Sequence, residues 1–343
     1  MKDLRGLMLY AFLALACVFL ASCGNGLQDD AKPEFRMTYN VFFPSSHAAA
    51  KLANEWADEV FKRTNGRLKV DVYAGSVLSN DSENFNCVVF GAADIGMSCF
   101  AYSRGLFPLI ECLDLPHGYR TGTQATKIAN DFIRHFKPKE LNDVELMYVH
   151  AHGPGVLACH KDVENIDDVR KMRLRGTGVT AMAIRAMGAD AVGLSQGETY
   201  EALRKGVVQG TLCPIETLNG WKQGEVIDNV VKIPALGYTT SMFVVMNRDS
   251  WAQLPKDIQD IIRQINEEWI GKHGQRWDEM DAEGEAYVRS LGKKVSEISA
   301  DANDAFVQAM SKVMDQWKER AKLKGLPAEE ALDFIQREIK EQE

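Results

Sequence analysis

Several features are scarce or missing in this 343-residue sequence, and each excludes a class of protein. Basic residues do not dominate, because the sequence has 40 lysines and arginines but 48 acidic residues. The resulting net charge of −8 argues against nucleic-acid binding. The cysteines form no C-x-x-C pair, so there is no zinc or redox motif. No internal repeat or low-complexity tract occurs. With 45% hydrophobic and 26% charged residues, the composition is that of a globular protein of about two domains.

Five cysteines follow Cys23. Because an odd number cannot all pair within the chain, they do not form a complete set of disulfides for an exported protein. We expect them to act as small buried hydrophobic residues. They are Cys87, Cys99, Cys112, Cys159 and Cys213.

A targeting segment begins the chain. Lys2 and Arg5 precede an uncharged apolar run over residues 7–20, which is shorter than the ~20 residues of a membrane span. The run ends in residues 20–23 (LASC), which resemble the lipobox of bacterial lipoproteins. The resemblance implies a lipoprotein signal peptide over residues 1–22, a diacylglycerol on the Cys23 sulfur and a tether over 23–34. The alternative is a plain secretory leader with an incidental cysteine.

Hydrophobic periodicity predicts an α/β fold with a largely parallel sheet, because strand-like and helix-like segments alternate. A second α/β unit begins after the strand at 146–152. The predicted strands are 35–43, 68–73, 95–97, 146–152, 170–175, 191–194 and 240–246, and the predicted helices are 48–64, 83–90, 179–187 and 199–205.

The region from Pro255 to Gly325 contains no internal proline, and isoleucines at helical spacing begin it. The pattern predicts a long helix. Forty helical residues would reach ~60 Å, which is longer than one domain and sufficient to brace two.

Basic residues alternate with apolar ones in residues 170–175 (RKMRLR), which predicts a strand with Lys171, Arg173 and Arg175 on one face. A turn at Gly176-Thr177-Gly178 and a helix follow. The carboxyl end of a strand is where α/β sheets bind ligands, and a helix N-terminus favours anions. We therefore expect Arg175 to bind a carboxylate or sulfonate and the other two cations to lie at the surface.

Two enzyme-like motifs have simpler explanations. Residues 193–197 (GLSQG) match the G-x-S-x-G nucleophile elbow, but the only histidine after Ser195 is His273, within the predicted long helix. Ser195 and Glu198 instead form a capping box. Residues 176–181 (GTGVTA) match a dinucleotide-binding turn, but the next strand ends without the acidic residue that would bind a ribose.

Two further groups of residues are candidates for ligand sites. His150 and His152 lie on one strand face with His160 nearby, but no carboxylate or thiolate is predicted to converge on them, so no metal site is expected. Trp221, Tyr238 and Phe243 are candidates for an aromatic wall, although buried aromatic residues more often belong to a core.

The ordered motifs resemble those of a solute-binding protein of a TRAP (tripartite ATP-independent periplasmic) transporter, of the dicarboxylate-binding type. The similarity covers nearly the whole chain after the leader. The matching segments are 65–70 (NGRLKV), 107–109 (FPL), 115–116 (LP), 167–175 (DDVRKMRLR), 200–203 (YEAL) and 254–255 (LP).

The resemblance implies a two-lobed periplasmic-binding-protein (Venus-flytrap) fold with a long C-terminal bracing helix. Lobe I would comprise residues 35–152 plus about 240–275. Lobe II would comprise 153–239 plus about 276–343 with the long helices. The lobes would close on one organic anion, and Arg175 matches the family's invariant ligand-binding arginine by position.

Two departures narrow the expected ligand. Many members carry a second arginine where this chain has Gly155, and an asparagine of the sialic-acid-binding branch falls at Cys213. An apolar or aromatic monocarboxylate, or a small sulfonate, therefore fits better than sialic acid or a typical C4-dicarboxylate. The candidate ligand-binding residues are Arg175, Phe42, His47, Cys99, Tyr102, His152, Thr177, Gly178, Gln196, Cys213, Glu216 and Trp221.

The implied role is a lipid-anchored, monomeric protein of the periplasm that delivers the acid to small and large TRAP membrane subunits. The implied partners include no nucleic acid, and no cofactor, metal or catalysis is expected. A solute receptor for a sensor and an exported serine hydrolase using Ser195 are the alternatives.

Overall fold

The computed structural model describes residues 32–342. The predicted signal peptide, Cys23 and most of the predicted tether therefore lie outside the described residues. In the described part of the chain, no helix has both the length and the apolar character needed to cross a membrane.

The strands and helices follow the predicted alternation. The strands are β1 Phe35–Val41, β2 Leu68–Ala74, β3 Ile95–Cys99, β4 Val144–Ala151, β5 Val156–Cys159, β6 Arg173–Arg175, β7 Asp190–Val192, β8 Gly210–Cys213, β9 Asn229–Lys232, β10 Ser241–Asn247 and β11 Lys294–Glu297. The helices are α1 Ala48–Arg63, α2 Asn84–Val89, α3 Gly122–Phe136, α4 Ile166–Val169, α5 Gly178–Ala186, α6 Gln196–Arg204, α7 Thr217–Gly220, α8 Arg248–Ala252, α9 Lys256–Ser290, α10 Ala300–Leu323 and α11 Ala328–Glu341.

These strands form two sheets, of five strands in the order β2-β1-β3-β10-β4 and six strands in the order β11-β9-β5-β8-β6-β7. Each sheet is parallel except for one strand: β10 runs antiparallel to β3 and β4, and β5 runs antiparallel to β8 and β9. The predicted α/β class with largely parallel sheets is confirmed. Every residue of β10 is buried, as expected for a strand covered on both faces.

The chain passes between the sheets in short segments. Residues 152–155 lead from β4 in the first sheet to β5 in the second, and residues 233–240 return from β9 to β10. The 35-residue helix α9 makes a third connection. At 1.5 Å per residue it is about 53 Å long, and it packs against α1 and α3 before it reaches α7 and β11. The bracing helix is thus present.

The proline-free region does not form one continuous helix. It divides into α9 and α10, with Gly292 in a left-handed turn (φ 72°) and the edge strand β11 between them. Helix α10 packs against α5, whereas α11 packs against α3.

Helix α1 illustrates how the apolar spacing positions these elements. Leu52, Ala53, Trp56 and Val60 are buried as predicted, while Phe61 remains 44% exposed. The indole Nε1 of Trp56 donates to the Asn266 side-chain oxygen of α9 at 2.9 Å. Burial of one such large side chain contributes about 2–3 kcal/mol, so this contact holds α9 against α1.

The predicted cationic strand is shorter than expected. Pairing with β7 begins at Arg173 opposite Asp190. Lys171 lies before it in a turn with φ 63°, and its amide donates to Gly188 O at 3.0 Å. The prediction that Lys171 shares the strand face was therefore wrong. Lys171 and Arg173 are exposed, whereas Arg175 is buried.

Candidate functional site

Arg175 ends β6 with its side chain buried, and only 4% of the residue is exposed. Its Nε donates to Leu194 O at 2.9 Å, and its Nη2 donates to the Tyr102 hydroxyl at 3.4 Å. Within residues 32–342, no carboxylate lies within 4.0 Å of this guanidinium. Because a buried charge without a counter-charge costs several kcal/mol, and other N–H groups of the guanidinium remain unused, the geometry favours an anionic ligand.

The turn after β6 brings a helix N-terminus beside this cation. Gly178 has φ 50°, and a Cβ there would lie 3.0 Å from the Ala101 Cβ. Thr177 caps α5 through a reciprocal capping box with Thr180. The positive end of the helix dipole therefore adds to the attraction of Arg175 for an anion.

A small cavity lies between the two sheets. The structure brings ten of the predicted residues together around it: Phe42, Cys99, Tyr102, His152, Arg175, Thr177, Gln196, Cys213, Glu216 and Trp221. Eight further residues that the sequence patterns did not predict also line it: Phe43, Thr180, Leu212, Pro214, Thr217, Thr240, Met242 and Trp277. The other two predicted residues do not line this cavity. Gly178 lines a separate cavity, and His47 contacts the lining residue Glu216.

Aromatic rings form part of the cavity wall. Phe42 stacks on Trp221 with 6.1 Å between centroids and meets Tyr102 edge-on at 5.8 Å. Phe42 follows β1 of the first sheet, and Trp221 follows α7, which comes after β8 of the second sheet. The wall is therefore built from segments that follow strands of both sheets, and it suits the apolar or aromatic part of a ligand.

His47, which follows β1, contacts Glu216, which follows β8, and both residues are buried. The Nδ1 of His47 accepts the Ala49 amide proton at the start of α1, so its Nε2 carries the proton and donates to the Glu216 carboxylate at 3.0 Å. Thr217 also donates to Glu216 at 3.0 Å. His47 thus acts as a helix cap and as a partner of Glu216.

Thiols form the neutral part of the wall. Burial raises the pKa of Cys99 well above its usual value and that of Cys213 to about 12, although the nearby Arg175 guanidinium acts in the opposite direction. Both are therefore uncharged near neutral pH. In the described part of the chain the five cysteines are free; four are buried, as expected, and Cys87 is half-buried.

The histidines do not converge on a common point. His150 stacks on His273 at 3.7 Å and accepts from the Trp277 indole at 3.0 Å, and burial lowers the pKa of both histidines. His160 instead pairs with Asp228 at the surface. Among residues 32–342, no group of three potential metal-ligating side chains was found.

Ser195 has the structural role that the spacing predicts. It caps α6, and its amide donates to the Glu198 carboxylate at 2.9 Å. His273 lies in the middle of α9, where its Nδ1 contacts the Tyr148 hydroxyl at 3.3 Å. The serine and the histidine therefore do not form a catalytic pair.

Tyr238 packs closely against Gly155. A Cβ at this position would lie 2.1 Å from the Cζ atom of Tyr238, far closer than van der Waals contact allows. The ring thus occupies the space in which a side chain at position 155 would begin. The described cavity keeps Arg175 as its only cationic lining residue.

Comparison with known proteins is consistent with this geometry. Residues 39–320 match the family described as bacterial extracellular solute-binding protein, family 7. The C4-dicarboxylate-binding periplasmic protein DctP of Rhodobacter capsulatus is 26% identical over 289 residues, which cover 81% of this chain and 83% of that protein.

Two solved structures are similar over nearly their whole length. A TRAP periplasmic solute-binding protein from Bordetella bronchiseptica, with bound (R)- and (S)-mandelate, is 28% identical with a TM-score of 0.83. It covers 90% of this chain and 99% of its own. A marine metagenome TRAP solute-binding protein in complex with metahydroxyphenylacetate is 22% identical, with a TM-score of 0.86 and the same coverage. At 22% identity, the similarity to the marine metagenome protein shows a common fold.

Proposed function

Because this chain belongs to the bacterial extracellular solute-binding protein family 7, the solute-binding component of TRAP transporters, we propose that it holds one small organic acid by pairing the carboxylate with Arg175. The protein is a periplasmic transport protein and not an enzyme. Proteins of this family bind small organic acids and work with membrane permease subunits.

The observation that carries the proposal is the buried guanidinium of Arg175, which has no carboxylate partner within the described residues and lines a cavity between the sheets. A carboxylate or sulfonate would supply the missing counter-charge through paired, charge-assisted hydrogen bonds. The α5 N-terminus would add to this attraction.

The ligand class follows from the remaining walls. One lining cation, stacked aromatic rings and neutral thiols suit a single anionic group attached to an apolar or aromatic body. The mandelate bound by the Bordetella relative is an acid of this type. Tyr238 against Gly155 leaves no space for a second arginine, so a second carboxylate would lack a partner.

The proposed mechanism of capture is closure of two lobes, each built around one of the two sheets. The cavity is lined from both sheets, so a ligand that contacts both walls stabilises the closed arrangement relative to the open one. The His47–Glu216 hydrogen bond, which joins the start of α1 to the start of α7, would form in the same closed state.

A thermal-shift screen tests the proposed function. We expect aromatic and aliphatic monocarboxylates or sulfonates to raise the melting temperature, because a ligand at 100 times its Kd adds about 2.7 kcal/mol. The matching primary amides, which lack the negative charge, are the control and should give no shift. Equal shifts for acids and amides, or no shift with any acid, would contradict the proposal.

The lipid anchor and the monomeric state are also proposals. The sequence around Cys23 supports modification of its sulfur, and retention at the membrane surface would follow from the attached acyl chains. We expect mass spectrometry of the protein produced in a bacterial host to show an N-terminal lipidated Cys23, and Cys23→Ser to release the protein in soluble form. An unmodified mature N-terminus at another residue would exclude the anchor.

A further inference from the structure

His152 presents a buried hydrogen-bond acceptor at the wall of the cavity. It follows β4, is only 1% exposed, and lines the same cavity as Arg175. Its Nδ1 lies 2.5 Å from the carbonyl oxygen of Gly153. Because a carbonyl oxygen only accepts hydrogen bonds, Nδ1 carries the ring proton and Nε2 carries a lone pair.

The ring stays neutral near pH 7, because burial lowers the pKa of His152 to about 4. Its Nε2 is buried and has no hydrogen-bond partner within residues 32–342. The neighbouring rings do not supply a donor: the Trp277 indole donates to His150, and the buried Tyr238 hydroxyl has no hydrogen-bond partner either. A buried acceptor without a donor is costly, so a donor from another molecule would stabilise this arrangement.

Building on the organic-acid function, we propose that the ligand carries a hydroxyl or N–H group besides its carboxylate, and that His152 Nε2 accepts the hydrogen bond from this group. The cavity wall then carries two complementary groups: Arg175 offers donors to an anion, and His152 offers an acceptor to a donor. Hydroxy acids and acylated amino acids meet both requirements. A plain carboxylic acid leaves Nε2 unpaired, and a dicarboxylate places a second acceptor group in a cavity with only one lining cation.

Titration calorimetry on the wild-type protein tests the proposal with three matched series. Each compares a hydroxy acid, its deoxy analogue and its methyl ether: lactate, propionate and 2-methoxypropionate; mandelate, phenylacetate and methoxyphenylacetate; 3-hydroxybenzoate, benzoate and 3-methoxybenzoate. In the series that binds best, we expect the hydroxy acid to bind at least about tenfold more tightly than either analogue. The methyl ether keeps the oxygen but lacks the donor.

The variant His152→Phe removes the acceptor while it keeps a ring of similar size. We expect it to lower the affinity for the hydroxy acid, so that the variant no longer prefers the hydroxy acid to its deoxy analogue. If the variant does not fold, the wild-type series alone decides. Equal wild-type affinities within the series would overturn the role of His152 while the organic-acid function stands. Failure of every acid to bind would instead contradict the proposed function, and this inference with it.

Discussion

Replacing Arg175 by alanine is expected to weaken binding of the organic acid by about 2 kcal/mol or more, which is roughly 30-fold in Kd. The ligand anion would lose its charge-assisted hydrogen bonds in a site from which water is largely excluded. Titration calorimetry with the best acid from the screen measures the change directly.

Arg173 provides a matched control for this variant. It lies in the same strand and is also an arginine, but it is exposed and donates to Gly206 O at 2.8 Å. Arg173→Ala should leave the affinity unchanged, since the side chain lies on the surface. Equal losses in the two variants would show that general charge, and not the buried guanidinium, attracts the ligand.

The Arg175 variant should not unfold the protein. Loss of the hydrogen bond to Leu194 O destabilises the ligand-free form, but removal of a buried charge without a carboxylate partner acts in the opposite direction. We therefore expect a cooperative thermal transition that no longer shifts with the acid. This outcome separates lost recognition from lost structure.

Replacing Gly284 by alanine is expected to destabilise the protein by about 1–3 kcal/mol, although alanine favours helices. Gly284 lies in α9, and a Cβ there would be 2.4 Å from Ile215 O and 2.8 Å from the Glu216 Cα. Both neighbouring atoms belong to the backbone and cannot rotate away. The overlap would push α9 from the segment that positions Glu216, so the affinity for the acid should fall as well.

Gly271 in the same helix is the matched control. A Cβ at this exposed position meets no atom within 4 Å. Gly271→Ala should therefore stabilise the protein by up to about 1 kcal/mol through helix propensity alone. Urea unfolding of both variants measures the difference in sign. A change in the same direction for both would mean that close packing of α9 on the segment 215–216 does not matter for stability.

Much of the fold follows from local sequence patterns because the alternation of strands and helices needs no long-range information. The spacing of apolar residues in α1 and the Ser195–Glu198 capping box are confirmed. The division of the proline-free region into α9 and α10 was missed. That break depends on the left-handed turn at Gly292 and on pairing of β11 with β9, a contact between residues distant in sequence.

The site shows the same limit. The strand pattern and the following glycine turn single out Arg175, but alternation alone wrongly extended the strand to Lys171. The roles of His47 and His152 depend on partners that only folding provides. His47 contacts Glu216, which is distant in sequence. His152 contacts the carbonyl oxygen of the next residue, Gly153, and this contact depends on the orientation of that carbonyl group. Tyr238 likewise packs against Gly155 only because residues 233–240 pass between the two sheets.

A crystal structure with the acid that binds best tests the central claim most directly. We predict a closed form in which both carboxylate oxygens lie about 2.7–2.9 Å from guanidinium nitrogens of Arg175, within the cavity between the two sheets. A ligand bound elsewhere, or one whose anionic group does not contact Arg175, would contradict the account.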